Sequence, residues 1–145
     1  RTLVAISTIS HSSSGARSDR ALERALTAAR TAAENRGRDI MILDLRDLTS
    51  EFDYFVLVTG SSGRQLRAIS EEIDHVLEDQ MHDRRLGIEG YQDNRWILLD
   101  YGDIIVHLFD ADARSYYALD QLWGTAKRIP FDAADAAGNL RRLGS

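Results

Sequence analysis

The chain reads as an α/β domain, a single unit with a mixed sheet of about five strands flanked by helices. Three observations predict it. Apolar residues recur at helical spacing in some segments and collect in strand-length runs in others, and the two kinds of segment are interleaved. Two of those runs, IMILDL (40–45) and YFVLVTG (54–60), are apolar on both faces, so helices must cover at least one side of the sheet. The 145 residues fit one domain with one buried core.

Each element follows in order. Residues 1–18, RTLVAISTISHSSSGARS, hold no acid and are rich in serine, which predicts a flexible leader. The same composition weakly resembles an organellar transit peptide. From 19 to 36, Leu22, Ala25, Leu26, Ala29, Ala32 and Ala33 recur at helical spacing, with Ser18 as N-cap and Gly37 as the stop. The strands 40–45 and 54–60 come next. A second helix is expected from Ser61 or Ser62, burying Leu66, Ile69, Ile73, Val76 and Leu77. RRLGIEG (84–90) predicts a short strand. Strands 96–101 and 103–109 form a hairpin, and Asp110 or Asp112 caps a third helix running through ARSYYALDQLWGTAKRI. The domain is expected at 19–129, followed by a C-terminal tail at 130–145.

Composition excludes several function classes. The absence of cysteine removes disulfide frameworks, thiolate chemistry and cysteine-type zinc sites. No apolar run approaches the roughly 18 residues of a membrane span, so no membrane role is expected. With 23 acids against 18 bases, the net charge of −5 disfavours a protein held to nucleic acid by its overall field, and mildly favours a basic protein partner. No direct sequence-specific nucleic-acid binding is expected.

Three segments carry candidate chemistry. TGSSGRQ (59–65) leaves a strand and enters a helix, where exposed backbone N–H groups can hold a phosphate. It lacks the spacing of a Walker loop or dinucleotide fingerprint, and a serine N-cap explains it as well. Asp100 and Asp103 flank Tyr101-Gly102, and on a two-residue hairpin loop they share one face, where a carboxylate pair could hold a divalent metal for phosphoryl transfer. This is the enzyme alternative, a nucleotidyltransferase using Asp100 and Asp103. Against it, tight turns also demand Asp and Gly, and no third acid accompanies the pair. His107 has no second ligand at short spacing, so a hydrogen-bonded sheet histidine is expected rather than a metal site. No cofactor, metal or catalytic set is therefore expected.

Strand alternation divides WILLDYGDIIVHLF (96–109) into two faces. Ile97, Leu99, Ile104, Val106 and Leu108 make an aliphatic core face. Trp96, Leu98, Asp100, Asp103, Ile105, His107 and Phe109 make the other, which mixes large apolar groups with charge. An aromatic anchor beside aliphatics with a polar rim suits a protein-binding patch. A covering helix would instead make Trp96 core.

The stretches TSEFDYFVLVTGSSGRQLRAISEEI and GIEGYQDNRWILLDYGDIIVHLFDADARSYYALDQLW closely resemble the ribosomal silencing factor family, also called Iojap-like proteins. The resemblance covers roughly 21–129. Its marks are Asp-Tyr-Phe at 53–55, Thr59-Gly60-Ser61-Ser62, Glu89-Gly90, the hairpin from Trp96 through Asp100, Gly102 and Asp103 to His107, and the closing Arg114, Tyr116, Tyr117, Leu119, Leu122 and Trp123. It implies a nucleotidyltransferase-like topology without the catalytic set. It also implies a non-enzymatic protein that binds the large ribosomal subunit through ribosomal protein L-fourteen on the intersubunit face. There such a protein blocks joining of the small subunit, repressing translation, with a role in large-subunit maturation also implied. The ribosomal-protein-binding residues expected on this basis are Trp96, Leu98, Asp100, Tyr101, Ile105 and His107. A homodimer when free and a bacterial cytoplasmic location are also expected, with organellar import the alternative.

Overall fold

The computed structural model describes residues 11–90, 95–117 and 124–131, without the side chains of 11–18 and 115–117. Along the chain run α1 (His11–Glu34), β1 (Arg38–Asp44), β2 (Tyr54–Gly60), α2 (Gly63–Met81), β3 (Gly87–Glu89), β4 (Trp96–Asp100), β5 (Ile104–Asp110), α3 (Ala111–Tyr117) and β6 (Lys127–Ile129). The strands form one sheet in the order β3-β4-β5-β2-β1-β6. The central β2 and β5 pair in parallel, and every other pairing is antiparallel. A parallel neighbour requires a crossover, and α2 lies within that connection.

Both long helices lie on one face. α1 turns Ala21, Ala25, Ala28, Ala29 and Ala32, all fully buried, toward the sheet and α2. Small side chains let the backbones approach closely. α2 buries Leu66, Ile69, Ile73 and Leu77, the 3.6-residue stripe anticipated for it, and leaves Val76 half-buried. Against them sit Ile97, Leu99, Ile104, Val106 and Leu108. The predicted aliphatic face of the hairpin is thus the core face.

Four local expectations differ from the structure. α1 begins at His11, so Ser18 is not its N-cap and part of the expected leader is helical. Serine and glycine lower helix propensity, but this segment has no proline to stop a helix propagating through it. At the other end of α1, Arg36 takes the left-handed conformation (φ 69°) expected of Gly37. Gly37 is needed for space, because a Cβ there would lie 2.8 Å from both the Ala32 carbonyl oxygen and Val58. Residues 127–129, expected within the third helix, form a sixth strand on the edge of β1, with Ile42 opposite Ile129. Gly124 interrupts the helical pattern, and the open edge of β1 supplies backbone partners. Finally, Asp100 pairs with Ile105, so the hairpin loop holds four residues rather than two. Residues 1–10 and most of the expected tail lie outside the described residues.

Candidate docking face of the hairpin

The face of the sheet away from α1 and α2 gathers Leu43, Leu45, Phe55, Leu57, Ile105, Phe109 and Ala113, with Met41, Phe52, Trp96, Leu98 and Ala126 partly buried against them. Aromatic rings run across it. Phe52 and Phe55 lie 5.5 Å apart, and Phe55 meets His107 edge-on at 4.6 Å. His107 stacks parallel to Phe109, and Trp96 lies 5.4 Å from Phe109 and 5.8 Å from His107.

His107 is the polar centre of this arrangement. Trp96 Nε1–H donates to its Nδ1 at 3.1 Å. The indole nitrogen can only donate, so Nδ1 is unprotonated and the neutral ring carries its proton on Nε2. Burial pushes the imidazole pKa down to about 3, because a charged ring would lose its hydration there. Nε2 has no hydrogen-bond partner among the described residues. The expected hydrogen-bonded sheet histidine is present, and its cross-strand neighbour is Leu98, two residues on from Trp96, which itself pairs with Phe109.

The six expected contact residues separate by accessibility. Trp96, Leu98 and Asp100 alternate along β4 and are each half-buried. Ile105 and His107 are only 3% and 4% exposed. Tyr101 faces the helices and not this surface: it is buried in the core beside α2, and its hydroxyl donates to Asp74, which also accepts from Arg85. Burial raises its phenol pKa above the ordinary value. The accessible part of the set is therefore Trp96, Leu98 and Asp100.

The two carboxylates of the enzyme alternative are engaged by separate partners. Asp100 accepts from the backbone N–H of Gly102 at 2.8 Å, closing its own turn. Asp103 Oδ1 accepts from Arg24 of α1 at 2.5 Å, and the second guanidinium branch of Arg24 binds Asp83 at 2.6 Å. Burial opposes the charge on Arg24, but the hydrogen bonds to Asp103 and Asp83 outweigh it and raise the guanidinium pKa. The loop Tyr101-Gly102 that would have set Asp100 opposite Asp103 fails because Asp100 pairs with Ile105, with Tyr101 N–H bonded to the Ile104 carbonyl inside that pair. Among the described residues, no group of three or more His, Asp or Glu is placed to hold a metal ion.

The Gly-Ser turn is engaged in capping. Ser62 Oγ accepts from Gln65 N–H at 3.1 Å, and Gln65 Oε1 accepts from the Ser61 N–H and hydroxyl. This is a variant of the capping box in which the return bond goes to Ser61, the residue before the N-cap Ser62. Gln65 Nε2 then donates to the Arg36 carbonyl at 3.1 Å, tying the end of α1 to the start of α2. The third helix is capped by Asp110, whose carboxylate accepts from Ala113 N–H at 2.7 Å.

Sequence reasoning about the hairpin alone missed Phe52, Phe55 and Met41, contributed by the connection before β2, by β2 and by β1. The signal for Phe55 and Met41 was the apolar character of 54–60 and 40–45 on both faces. Gly90, one of the family marks, has a φ of +77° that suits glycine, and a Cβ there would fall 1.9 Å from the Trp96 carbonyl oxygen. Gly90 thus lets the end of β3 pass against the backbone of Trp96. Arg114 reaches Thr59 Oγ1 at 2.9 Å and the Asp39 carbonyl, fastening α3 to the sheet. The side chains of Tyr116 and Tyr117, and Leu119, Leu122 and Trp123 entirely, lie outside the described residues.

A family model described as "Ribosomal silencing factor during starvation" matches residues 18–142. The chain belongs to this family. Among relatives, a ribosomal silencing factor from Bacillus subtilis is 39% identical over 106 residues, covering 72% of this chain and 88% of that protein. The chloroplastic Iojap protein of Zea mays is 34% identical over 113 residues, which are 77% of this chain and 49% of that longer protein. A crystal structure of a Chromobacterium violaceum protein superposes with a TM-score of 0.69 at 32% identity, covering 76% of this chain and 90% of that one. Ribosomal silencing factor relatives thus include bacterial proteins and plant organellar ones. No helix among the described residues is long and apolar enough to cross a membrane.

Proposed function

We propose that this protein docks on the large ribosomal subunit through ribosomal protein L-fourteen on the intersubunit face, and represses translation by sterically excluding the small subunit. The family match along residues 18–142 carries this reading. The hairpin supports it: Trp96, Leu98 and Asp100 are half-buried and alternate on one strand, so an aromatic anchor, an aliphatic neighbour and a carboxylate can meet one partner together. The carboxylate suits a basic protein surface. Asp100 and Asp103 both serve the fold, which supports a binding role over catalysis.

The proposed location is the bacterial cytoplasm, and a role in large-subunit maturation is compatible with the same docking site. In the free protein, Trp96 and Leu98 favour a weak homodimer that competes with docking. Ile105 adds little to that patch, because it is buried.

Co-sedimentation with separated subunits tests the proposal. The wild-type protein should travel with the large subunit and prevent its joining the small one. Trp96→Ala should weaken docking by about 30-fold, the loss typical of a central interface tryptophan worth about 2 kcal/mol. A folded Trp96→Ala protein that still blocks joining at wild-type concentration places the contact elsewhere.

A further inference from the structure

The Trp96 indole is half-buried, so its orientation is set by what lies beneath it. Beneath it is His107, a ring with little freedom of its own: Phe109 stacks parallel to it, Phe55 abuts it edge-on, and only 4% of its surface is exposed. Its Nδ1 accepts the indole N–H at 3.1 Å in a place where water offers little competition. We propose that His107 is a positioning residue, which holds the Trp96 ring in one orientation through Nδ1 and takes up its only hydrogen-bond donor. What Trp96 presents to a partner is then the carbon face and edge of the indole. The matching partner surface is an apolar patch, not a carbonyl or carboxylate waiting to accept a hydrogen bond.

A tryptophan free to rotate must be ordered when it docks, and that cost subtracts from affinity. Here the ordering is done within the fold. A histidine suits the task because, when neutral, it offers an unprotonated acceptor on a flat ring that stacks with its aromatic neighbours. This assignment rests on the proposed docking role of Trp96. It also moves His107 from the residues that touch the partner to those that act through another side chain.

Three variants of the full chain separate the possibilities by melting temperature and by affinity for the large subunit. His107→Leu keeps an apolar occupant and removes the acceptor. It should stay folded while binding weakens by about 3- to 10-fold, the scale of ordering one anchor side chain on docking. His107→Asn places an amide oxygen near the position of Nδ1 and should recover most of the binding. Wild-type affinity in His107→Leu, or equal weakening in His107→Asn, overturns the positioning role. Trp96→Ala keeps the two readings apart: normal binding there overturns the docking role, whereas loss there beside normal binding in His107→Leu overturns only the inference about His107. Nuclear magnetic resonance of the unmutated protein decides the matter should the histidine variants unfold. The Trp96 indole proton should exchange slowly with solvent, and the His107 nitrogens should report a neutral ring protonated at Nε2. Rapid exchange, or a proton on Nδ1, overturns the proposal.

Discussion

Under α1 and α2, Arg24 is 7% exposed and keeps its full charge by bridging Asp83 and Asp103, whereas on the opposite face His107 is 4% exposed and holds none. The difference lies in what surrounds each group. Arg24 sits at the margin of the helix-covered core, where α1, the end of α2 and the hairpin turn converge, and each supplies part of the network. The Asp103 carbonyl also accepts from Asp53 N–H at 2.7 Å, so the start of β2 joins the same node. His107 is enclosed by Phe55, Phe109 and Trp96, none of which can balance an ionic charge. The comparison teaches that this fold uses charge as a latch between elements on one face and excludes it beneath the Trp96 indole on the other. A face cleared of buried charge can give an apolar surface to a partner with less desolvation cost.

Breaking the latch should have the largest effect. Arg24→Ala leaves two carboxylates together with no cation between them, and is expected to cost about 3 to 5 kcal/mol, read by chemical denaturation. If its midpoint matches the wild type, the network is ornamental and the contrast between the faces fails.

The next test sets a core residue against its neighbour on β4. Leu99 is fully buried beneath the helices, and Leu99→Ala should destabilise by about 2 to 5 kcal/mol. Trp96→Ala should cost less stability, because the indole is half-exposed, and much more docking. An equal loss of stability in both variants would make the two faces equivalent as core.

The third prediction concerns acid. The ordinary histidine pKa is 6.5, and that of folded His107 is lowered to about 3. The unfolded chain therefore binds a proton that the folded chain refuses between those values. Stability from His107 is complete above about pH 6.5 and declines as pH falls toward 3, by at most about 1.4 kcal/mol per pH unit. Asp44, held below the ordinary carboxylate value first by its hydrogen bond to Arg46, adds its own loss only at the acid end. Urea midpoints measured from pH 7 to pH 4.5 should therefore flatten in His107→Leu. An unchanged slope would show that His107 titrates normally in the fold.

The smallest effect is local to α2. Ser62→Ala removes the side-chain acceptor for Gln65 N–H and should cost about 1 kcal/mol, without changing ribosome binding. Loss of binding in that variant would extend the functional surface to the Gly-Ser turn.

Much of this was written into local pattern. The alanine and leucine stripes of α1 and α2, the strand runs at 40–45 and 54–60, and the separation of Leu99 from Trp96 by alternation depend only on neighbours a few residues away. Backbone periodicity converts that spacing directly into faces. The family marks were legible in the same way, as residue types at fixed intervals. Asp103 was placed on the wrong face, whereas Asp100 stays with Trp96 and Leu98, because one more residue pair in the loop redirects a side chain, and loop length is weakly constrained by composition.

The sequence by itself determined that this is an α/β domain of the ribosomal silencing factor family with Trp96 and Leu98 on one hairpin face and Leu99 on the other. Only the tertiary structure decided the rest: that Asp103 answers an arginine 79 positions earlier, that Tyr101 turns into the helix-covered core, and that His107 lies neutral beneath the Trp96 indole. These outcomes depend on long-range partners and on how much water burial leaves around each group. Local spacing reports neither, because the energy of a polar side chain is set by what finally surrounds it.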